Sequence, residues 1–206
     1  MIAATPLSDS IVKLRRLQEA NGSIRKTQLL REFQDDANFR NFLYYALNPM
    51  LTYKISEQTL RSPTRYDSAI TLTMTDIFSV CELLSKRKAL DAGTVYQVCA
   101  FVQSSPPDEA DVYIKLLSKT LRLGVTAKTV NKVIPNLIPE WEVQQAYPID
   151  KYPLKEGTEF WLTQKLNGVR ATYYKGRLYA RSGAPYEGLD HILDALCFDA
   201  VSYTHL

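Results

Sequence analysis

The spacing of apolar residues changes character once along this chain, near Pro139, and that change limits the folds open to it. Upstream, apolar residues recur every three or four positions, the period of a helix that buries one face. Ile11, Leu14 and Leu17 share a face while Lys13, Arg15 and Arg16 fall on others; Ser8 or Ser10 is expected to cap this helix and Gly22 to end it. Ser23 opens a second segment with Leu29, Leu30 and Phe33 inward. Asp35 or Asp36 then precedes an aromatic-rich helix over 39–47, stopped by Asn48-Pro49. Residues 53–72 show no clean period and read as a long connection. Thr75 with Asp76 starts a helix through Ile77, Val80, Leu83 and Leu84, and another covers 94–102. Ser105-Pro106-Pro107-Asp108 breaks the chain and sets a proline in a helix's first turn. The helix that follows carries Tyr113, Leu116, Leu117 and Thr120 and is expected to stop at Gly124, with a short helix over 126–133 behind it. The sum is a helical domain of about 140 residues, within the usual range of domain sizes.

Downstream the texture is different. Pro135, Pro139, Pro148 and Pro153 punctuate a linker, and short strand-like runs replace the helical period. Residues 160–164 are apolar and short, and 169–174 are rich in β-branched and aromatic residues. Lys175-Gly176 can turn that strand into a second one over 178–181, and 189–196 look like an amphipathic helix.

Bulk properties restrict the function only broadly. The 206 residues are 46% hydrophobic and 23% charged, ordinary for a globular protein able to bury a core. A net charge of +3 and a pI near 8.6 permit a nucleic-acid partner without demanding one. Three scattered cysteines, Cys81, Cys99 and Cys197, give neither a disulfide framework nor a cysteine-based zinc site, and read as small buried hydrophobes in a reducing compartment. No signal peptide is visible in residues 1–6 and no run of about 18 apolar residues occurs, so a cytoplasmic protein without a membrane span is expected.

The segment that carries chemistry is Lys165-Leu-Asn-Gly-Val-Arg170, set between two strand-like runs. A protonated lysine is a poor nucleophile; apolar walls or neighbouring cations are needed to free its lone pair. Phe160, Trp161 and Leu162 can supply the wall and Arg170 the charge. Gly168 removes a side chain where a nucleotide could approach the backbone, and Asn167 offers amide hydrogen bonds to a ribose or to the turn. Attack of such a lysine on the α-phosphate of ATP would give a lysine–AMP phosphoramidate and pyrophosphate, chemistry that implies Mg²⁺. The bland reading is also open: Asn-Gly alone makes a tight hairpin, with Lys165 and Arg170 solvated on either side.

Two further stretches accompany the lysine. Downstream, Tyr179-Ala-Arg-Ser-Gly-Ala-Pro-Tyr-Glu-Gly-Leu189 ends a strand in Arg181. Upstream, residues 116–140 concentrate positive charge, with Lys115 beside Lys119, Arg122, Lys128 and Lys132. In this order the three resemble the ATP-dependent DNA ligases of the bacteriophage and bacterial type. The resemblance is loose over residues 1–110 and tight over 113–196. The family's motif is usually Lys-x-Asp-Gly-x-Arg, and Asn167 stands here for the aspartate.

The resemblance implies an α+β protein. An all-helical DNA-binding domain spans 1–140, and 141–200 hold the first strands and helix of a nucleotidyltransferase (adenylation) domain, cut short. It implies a DNA ligase with ATP and Mg²⁺ as cofactors, and a monomer acting on nicked double-stranded DNA in replication, repair and recombination. Lys165 becomes the catalytic residue that accepts AMP, with Thr163, Asn167, Gly168 and Arg170 around the nucleotide. Arg181 would meet the 5′-phosphate of the nick, which an arginine fork suits. Lys119, Arg122, Lys128 and Lys132 would touch the DNA backbone, although a row of lysines is also what a solvated helix face looks like. An RNA ligase or a capping-type nucleotidyltransferase shares the lysine motif and remains an alternative, as does a fragment that only binds DNA. The acidic Asp-Gly-Glu motif, the distal lysines and the oligonucleotide-binding barrel of these ligases do not occur within the 206 residues, so the chain alone is expected not to seal nicks. Residues 201–206, Val-Ser-Tyr-Thr-His-Leu, resemble the translation of a transposon-end adaptor used in preparing sequencing libraries and are expected to be non-native; an ordinary chain end is the alternative.

Overall fold

A computed structural model of the chain describes residues 6–62, 74, 76–87, 89–141, 150–151, 153, 155–159 and 168–195. They divide between two compact units, Met1–Glu140 and Trp141–Leu206. Among the described residues the first unit is helical: α1 Leu7–Glu19, α2 Ser23–Phe33, α3 Ala37–Leu47, α4 Glu57–Arg61, α5 Ile77–Lys86, α6 Ala92–Ser104, α7 Pro107–Leu117 and α8 Ala127–Asn131. The second holds a two-stranded antiparallel sheet and the helix α9, Asp190–Ala195, so the architecture is α+β.

Short polar side chains decide where these helices start. Asp36 accepts the amide of Phe39, Asp76 those of Phe78 and Ser79, Asp91 that of Thr94, Ser56 that of Thr59 and Thr126 that of Thr129. Each such cap satisfies amide groups that have no partner inside the helix and stabilises it by about 1 kcal/mol. Proline at the first turn of α7 needs no amide partner there.

The apolar faces then meet. Helix α1 packs against α2, α3 and α7, α3 against α5 and α7, and α4 against α6 and α7. Leu17, Phe42, Leu84 and Leu116 from four of these helices are fully buried in one core. Phe33 and Phe39 meet edge to face at 5.4 Å across the α2–α3 junction. Cys81 and Cys99 lie inside as small hydrophobes, and burial pushes the Cys81 thiol up to about 12; Cys197 lies outside the described residues.

Several expectations change on contact with the fold. Neither Ser8 nor Ser10 caps α1, which starts after Pro6 with no side-chain cap. Ser10 is instead fully buried and donates to both oxygens of Asp36, at 3.0 and 2.9 Å. The connection expected over 53–72 contains α4, whose single buried residue, Leu60, is too little apolar signal to show a period. The helix expected to reach Gly124 ends at Leu117, because Lys119 adopts a left-handed backbone (φ 58°) that no helix continues. Beyond it the chain is extended: Leu121 and Leu123 are buried while Arg122 and Gly124 face out. Gln18 and Lys26 tie this strap down, donating to the carbonyls of Arg122 and Leu123 at 3.1 Å each.

In the second unit β1, Ala171–Tyr174, pairs with β2, Arg177–Ala180, with Ala171 opposite Ala180 and Tyr174 opposite Arg177. Lys175 (φ 47°) and Gly176 (φ 76°) form the two-residue turn with both torsions positive, the geometry whose twist matches paired strands. The chain then folds back over β2: Tyr186 donates its amide to Leu178 at 2.8 Å, and Pro185 bridges Tyr179. Trp141 covers the hairpin, its ring 4.8 Å from Tyr179 and 6.2 Å from Tyr174.

Candidate functional site

Of the residues expected at the nucleotide, Lys165, Thr163 and Asn167 lie outside the described residues, as do Phe160, Trp161 and Leu162. The described chain resumes at Gly168, exposed in a bend, and leads through Val169, 71% exposed, to a half-buried Arg170. The carbonyl of Arg170 accepts from the Tyr186 hydroxyl at 3.3 Å, which fastens the approach to β1 to the segment folded over β2. Gly168 to Arg170, the described end of the motif, therefore lead directly into β1.

Arg181 follows β2 directly. It sits exposed in a turn closed by the Gly183 amide on the Ala180 carbonyl and the Ala180 amide on the Ala184 carbonyl, at 2.9 and 2.8 Å. Gly183 takes φ 88° here, open to glycine without strain. The guanidinium of Arg181 has no partner among the described residues. A fixed backbone and an unengaged guanidinium suit it to an anion.

In the helical unit the four expected DNA-backbone residues separate. Lys119 differs from the others: although the residue borders solvent, its ammonium turns inward. It donates to the carbonyls of Tyr45 and Asn48 at 2.9 Å each and of Ala46 at 3.4 Å, and stands 5.1 Å from the Tyr53 ring centre. These carbonyls belong to the end of α3, where helical acceptors lack partners, so Lys119 closes that helix from another part of the chain. Burial pushes it down to about 8. Arg122 faces solvent on the strap, its backbone carbonyl accepting from Gln18, while Lys128 and Lys132 are exposed on α8 and at its end.

Lys128 and Lys132 line a cleft of about 620 Å³ that also takes in Tyr44, Asn131, Asn136 and Glu140. Asn131 braces its wall. The amide oxygen accepts from the Ile138 amide at 3.0 Å, and the amide nitrogen donates to the Ile138 carbonyl at 2.8 Å and to Glu140 Oε1 at 2.9 Å. The sequence reading did not single out Tyr44, Asn131 or Asn136. One signal was available for Asn136, which takes φ 57° in a Pro-Asn turn, a conformation asparagine tolerates better than most residues.

Among the described residues no three His, Cys, Asp or Glu side chains gather into a metal site, so those residues form no Mg²⁺ cage. Nor is any described helix long and apolar enough to cross a membrane.

Comparison with known proteins places these features. No family model matches the chain. The DNA ligases of enterobacteria phages T4 and T6 are each 27% identical to it over 135 residues, 61% of this chain and 28% of theirs. The chain thus spans little more than a quarter of the length of these relatives. Two solved structures, Pmar-Lig_PreS3 and Pmar-Lig_Pre, share its fold, with TM-scores of 0.59 and 0.58 at 19% and 20% identity, over 89% of this chain and 44% of each of theirs. The chain is thus similar over part of its length to the DNA ligases of these two phages.

Proposed function

We propose that the protein carrying these residues is an ATP-dependent DNA ligase that seals nicks in duplex DNA. The observation that supports this most directly is the 135-residue match to two phage DNA ligases, in a chain that also carries the Lys165 motif followed in order by Arg181. In this reading Lys165 gives up a proton and its Nζ attacks the α-phosphorus of ATP. An N–P bond forms, the bond to the bridging oxygen breaks and pyrophosphate leaves. AMP then passes to the 5′-phosphate of the nick, freeing the lysine, and the neighbouring 3′-hydroxyl displaces AMP as the strand closes. Thr163, Asn167, Gly168 and Arg170 hold the nucleotide, and Arg181 pairs the 5′-phosphate, as its unengaged guanidinium permits. ATP and Mg²⁺ belong to this reading because phosphoryl transfer depends on positioning and on neutralising charge.

The 135 matched residues cover 28% of the phage ligases, and we expect the 206-residue chain not to complete this cycle alone. The test uses both the chain itself and a version extended to the length of those relatives, incubated with α-labelled ATP or GTP and then with a nicked duplex. The extended protein should take label from ATP and not from GTP, lose it in Lys165→Ala, and alone seal the nick. Labelling that survives Lys165→Ala, or a preference for GTP, sinks the lysine–AMP reading. Sealing by the 206-residue chain sinks the statement about the fragment.

A further inference from the structure

Trp141 opens the second unit and packs back onto its hairpin. Strand residues alternate between faces, and in the β1–β2 register Thr172 stands opposite Tyr179 and Tyr174 opposite Arg177. Thr172, Tyr174 and Tyr179 therefore share one face of the hairpin. Trp141 covers that face and reaches both strands, its ring centre 4.8 Å from that of Tyr179 on β2 and 6.2 Å from that of Tyr174 on β1. A two-stranded hairpin without such cover is only marginally stable in water. Hydrogen bonding does not hold the indole there. Among the described residues neither Trp141 Nε1 nor the neighbouring buried Thr172 Oγ1 has a partner, and an unpaired buried donor costs free energy. What Trp141 contributes at this place is the contact of its ring.

From that contact the path to Arg181 is short. Ala180, next to Tyr179, carries both hydrogen bonds that close the turn. Its carbonyl accepts from the Gly183 amide at 2.9 Å and its amide donates to the Ala184 carbonyl at 2.8 Å. Pro185, on the far side of the turn, bridges back to Tyr179. The exposed Arg181 thus hangs from a stretch of β2 whose inward side chain is the one Trp141 presses on.

We propose that Trp141 is a positioning residue for Arg181, holding β2 so that the guanidinium stays where it can meet a terminal phosphate. Trp141 itself touches no reacting group. The proposal rests on the ligase reading for the identity of that phosphate, the 5′-phosphate of a nick; the packing of Trp141 on Tyr179 is independent of it.

The experiment uses the version extended to the length of the phage ligases. Fluorescence anisotropy measures its affinity for a nicked duplex with a 5′-phosphate and for the same duplex with a 5′-hydroxyl, a 3′-dideoxy end on both preventing sealing. The ratio of the two affinities reads the phosphate contact and cancels the rest of the interface. Trp141→Leu keeps apolar bulk but loses the ring contacts, and should lower the ratio about 2- to 10-fold, the range that aromatic pairs contribute. Trp141→Phe restores a ring and leaves no N–H stranded, so it should recover most of the ratio. Tyr179→Val suits a strand and removes the contact from the other side; it should lower the ratio alike and carries the test if Trp141→Leu does not fold. In an Arg181→Ala background, Trp141→Leu should change the ratio no further, because a positioning residue acts only through the group it positions. A folded Trp141→Leu with the parental ratio, or one that weakens both duplexes equally, overturns the proposal and leaves the ligase reading intact. A parent that labels on Lys165 yet shows no preference for the 5′-phosphate overturns the proposal through Arg181. A parent that takes no label at all sinks the ligase reading itself.

Discussion

Replacing Lys119 by methionine tests whether this lysine belongs to the fold or to a nucleic-acid surface. Methionine keeps most of the apolar stem and removes the ammonium. Three carbonyl contacts are lost: Tyr45 and Asn48 at 2.9 Å and Ala46 at 3.4 Å. The Tyr45 carbonyl keeps a second donor, the Tyr53 hydroxyl at 2.8 Å, so it is not stranded. The Asn48 carbonyl likewise keeps the Leu51 amide, at 3.4 Å, so the Ala46 carbonyl loses more. Hydrogen bonds to a charged group contribute about 1.5–3 kcal/mol, and part of that is offset because the ammonium no longer has to leave water. The net expectation is a loss of about 2 kcal/mol in urea unfolding, with the slope on denaturant unchanged. DNA affinity of the folded variant, and its dependence on salt, should match the parent. The pH dependence carries a sign of its own. Burial pushes the Lys119 amine down to about 8, below its value in an unfolded chain, so the unfolded state holds more protons between about pH 8 and pH 10.5. The parent therefore gains stability relative to Lys119→Met as pH rises through that window, and the gap between them widens. A variant as stable as the parent but with a shallower salt slope in DNA binding would refute this reasoning and return Lys119 to the DNA surface.

Two other polar centres of the helical unit, around Asp36 and Asn131, differ in what their loss should do. Burial pulls Asp36 upward, but Lys13, the Phe39 amide and the Ser10 hydroxyl outweigh it and hold the carboxyl below the usual aspartate range. Its stabilising effect is thus fully present above about pH 4 and lost as pH falls through the lowered value. Asp36→Asn should keep the helix cap, lose about 1–3 kcal/mol through the Lys13 and Ser10 contacts, and flatten the acid limb of a stability–pH curve; an unchanged limb counts against it. Asn131→Ala should destabilise the unit by about 1–3 kcal/mol and weaken duplex binding without altering its salt slope, because it removes the brace and no charge. A changed slope would make Asn131 a contact rather than a support.

Sequence pattern recovered the elements whose signals are local. Asp36 and Asp76 announce α3 and α5 by capping chemistry, and Lys175-Gly176 announces the hairpin by its torsions. What it missed depends on contacts between distant parts of the chain. Leu116, Leu117 and Leu121 fit a helical period, so nothing near them signals that α7 stops at Leu117. The stop is secured by the Lys119 ammonium reaching α3, an interaction across 71 to 74 residues. The resemblance over residues 116–140 grouped Lys119 with Arg122, Lys128 and Lys132, because a sequence does not say which lysine has an internal acceptor. Tyr44 and Asn136 were invisible for the same reason: 92 positions apart in sequence, they become neighbours only at the cleft. The Lys165 motif is legible as chemistry, and Gly168 and Arg170 are where the described structure meets it.

The strap behind α7 and the start of α7 also bear on when the ties of the first two helices can form. Arg15 reaches Asp108, Gln18 reaches Arg122 and Lys26 reaches Leu123, spans of 93, 104 and 97 residues that tie the first two helices to nearly the last part of the unit. Contacts this distant form only after the intervening chain has been made, and the entropy of closing such long loops is repaid late. On the ribosome, α1 can meet α2 and α3 early, while its contacts with α7 and those of α1 and α2 with the strap wait until these have emerged. A chain ending ahead of residue 118 would forfeit every one of these ties except that of Arg15.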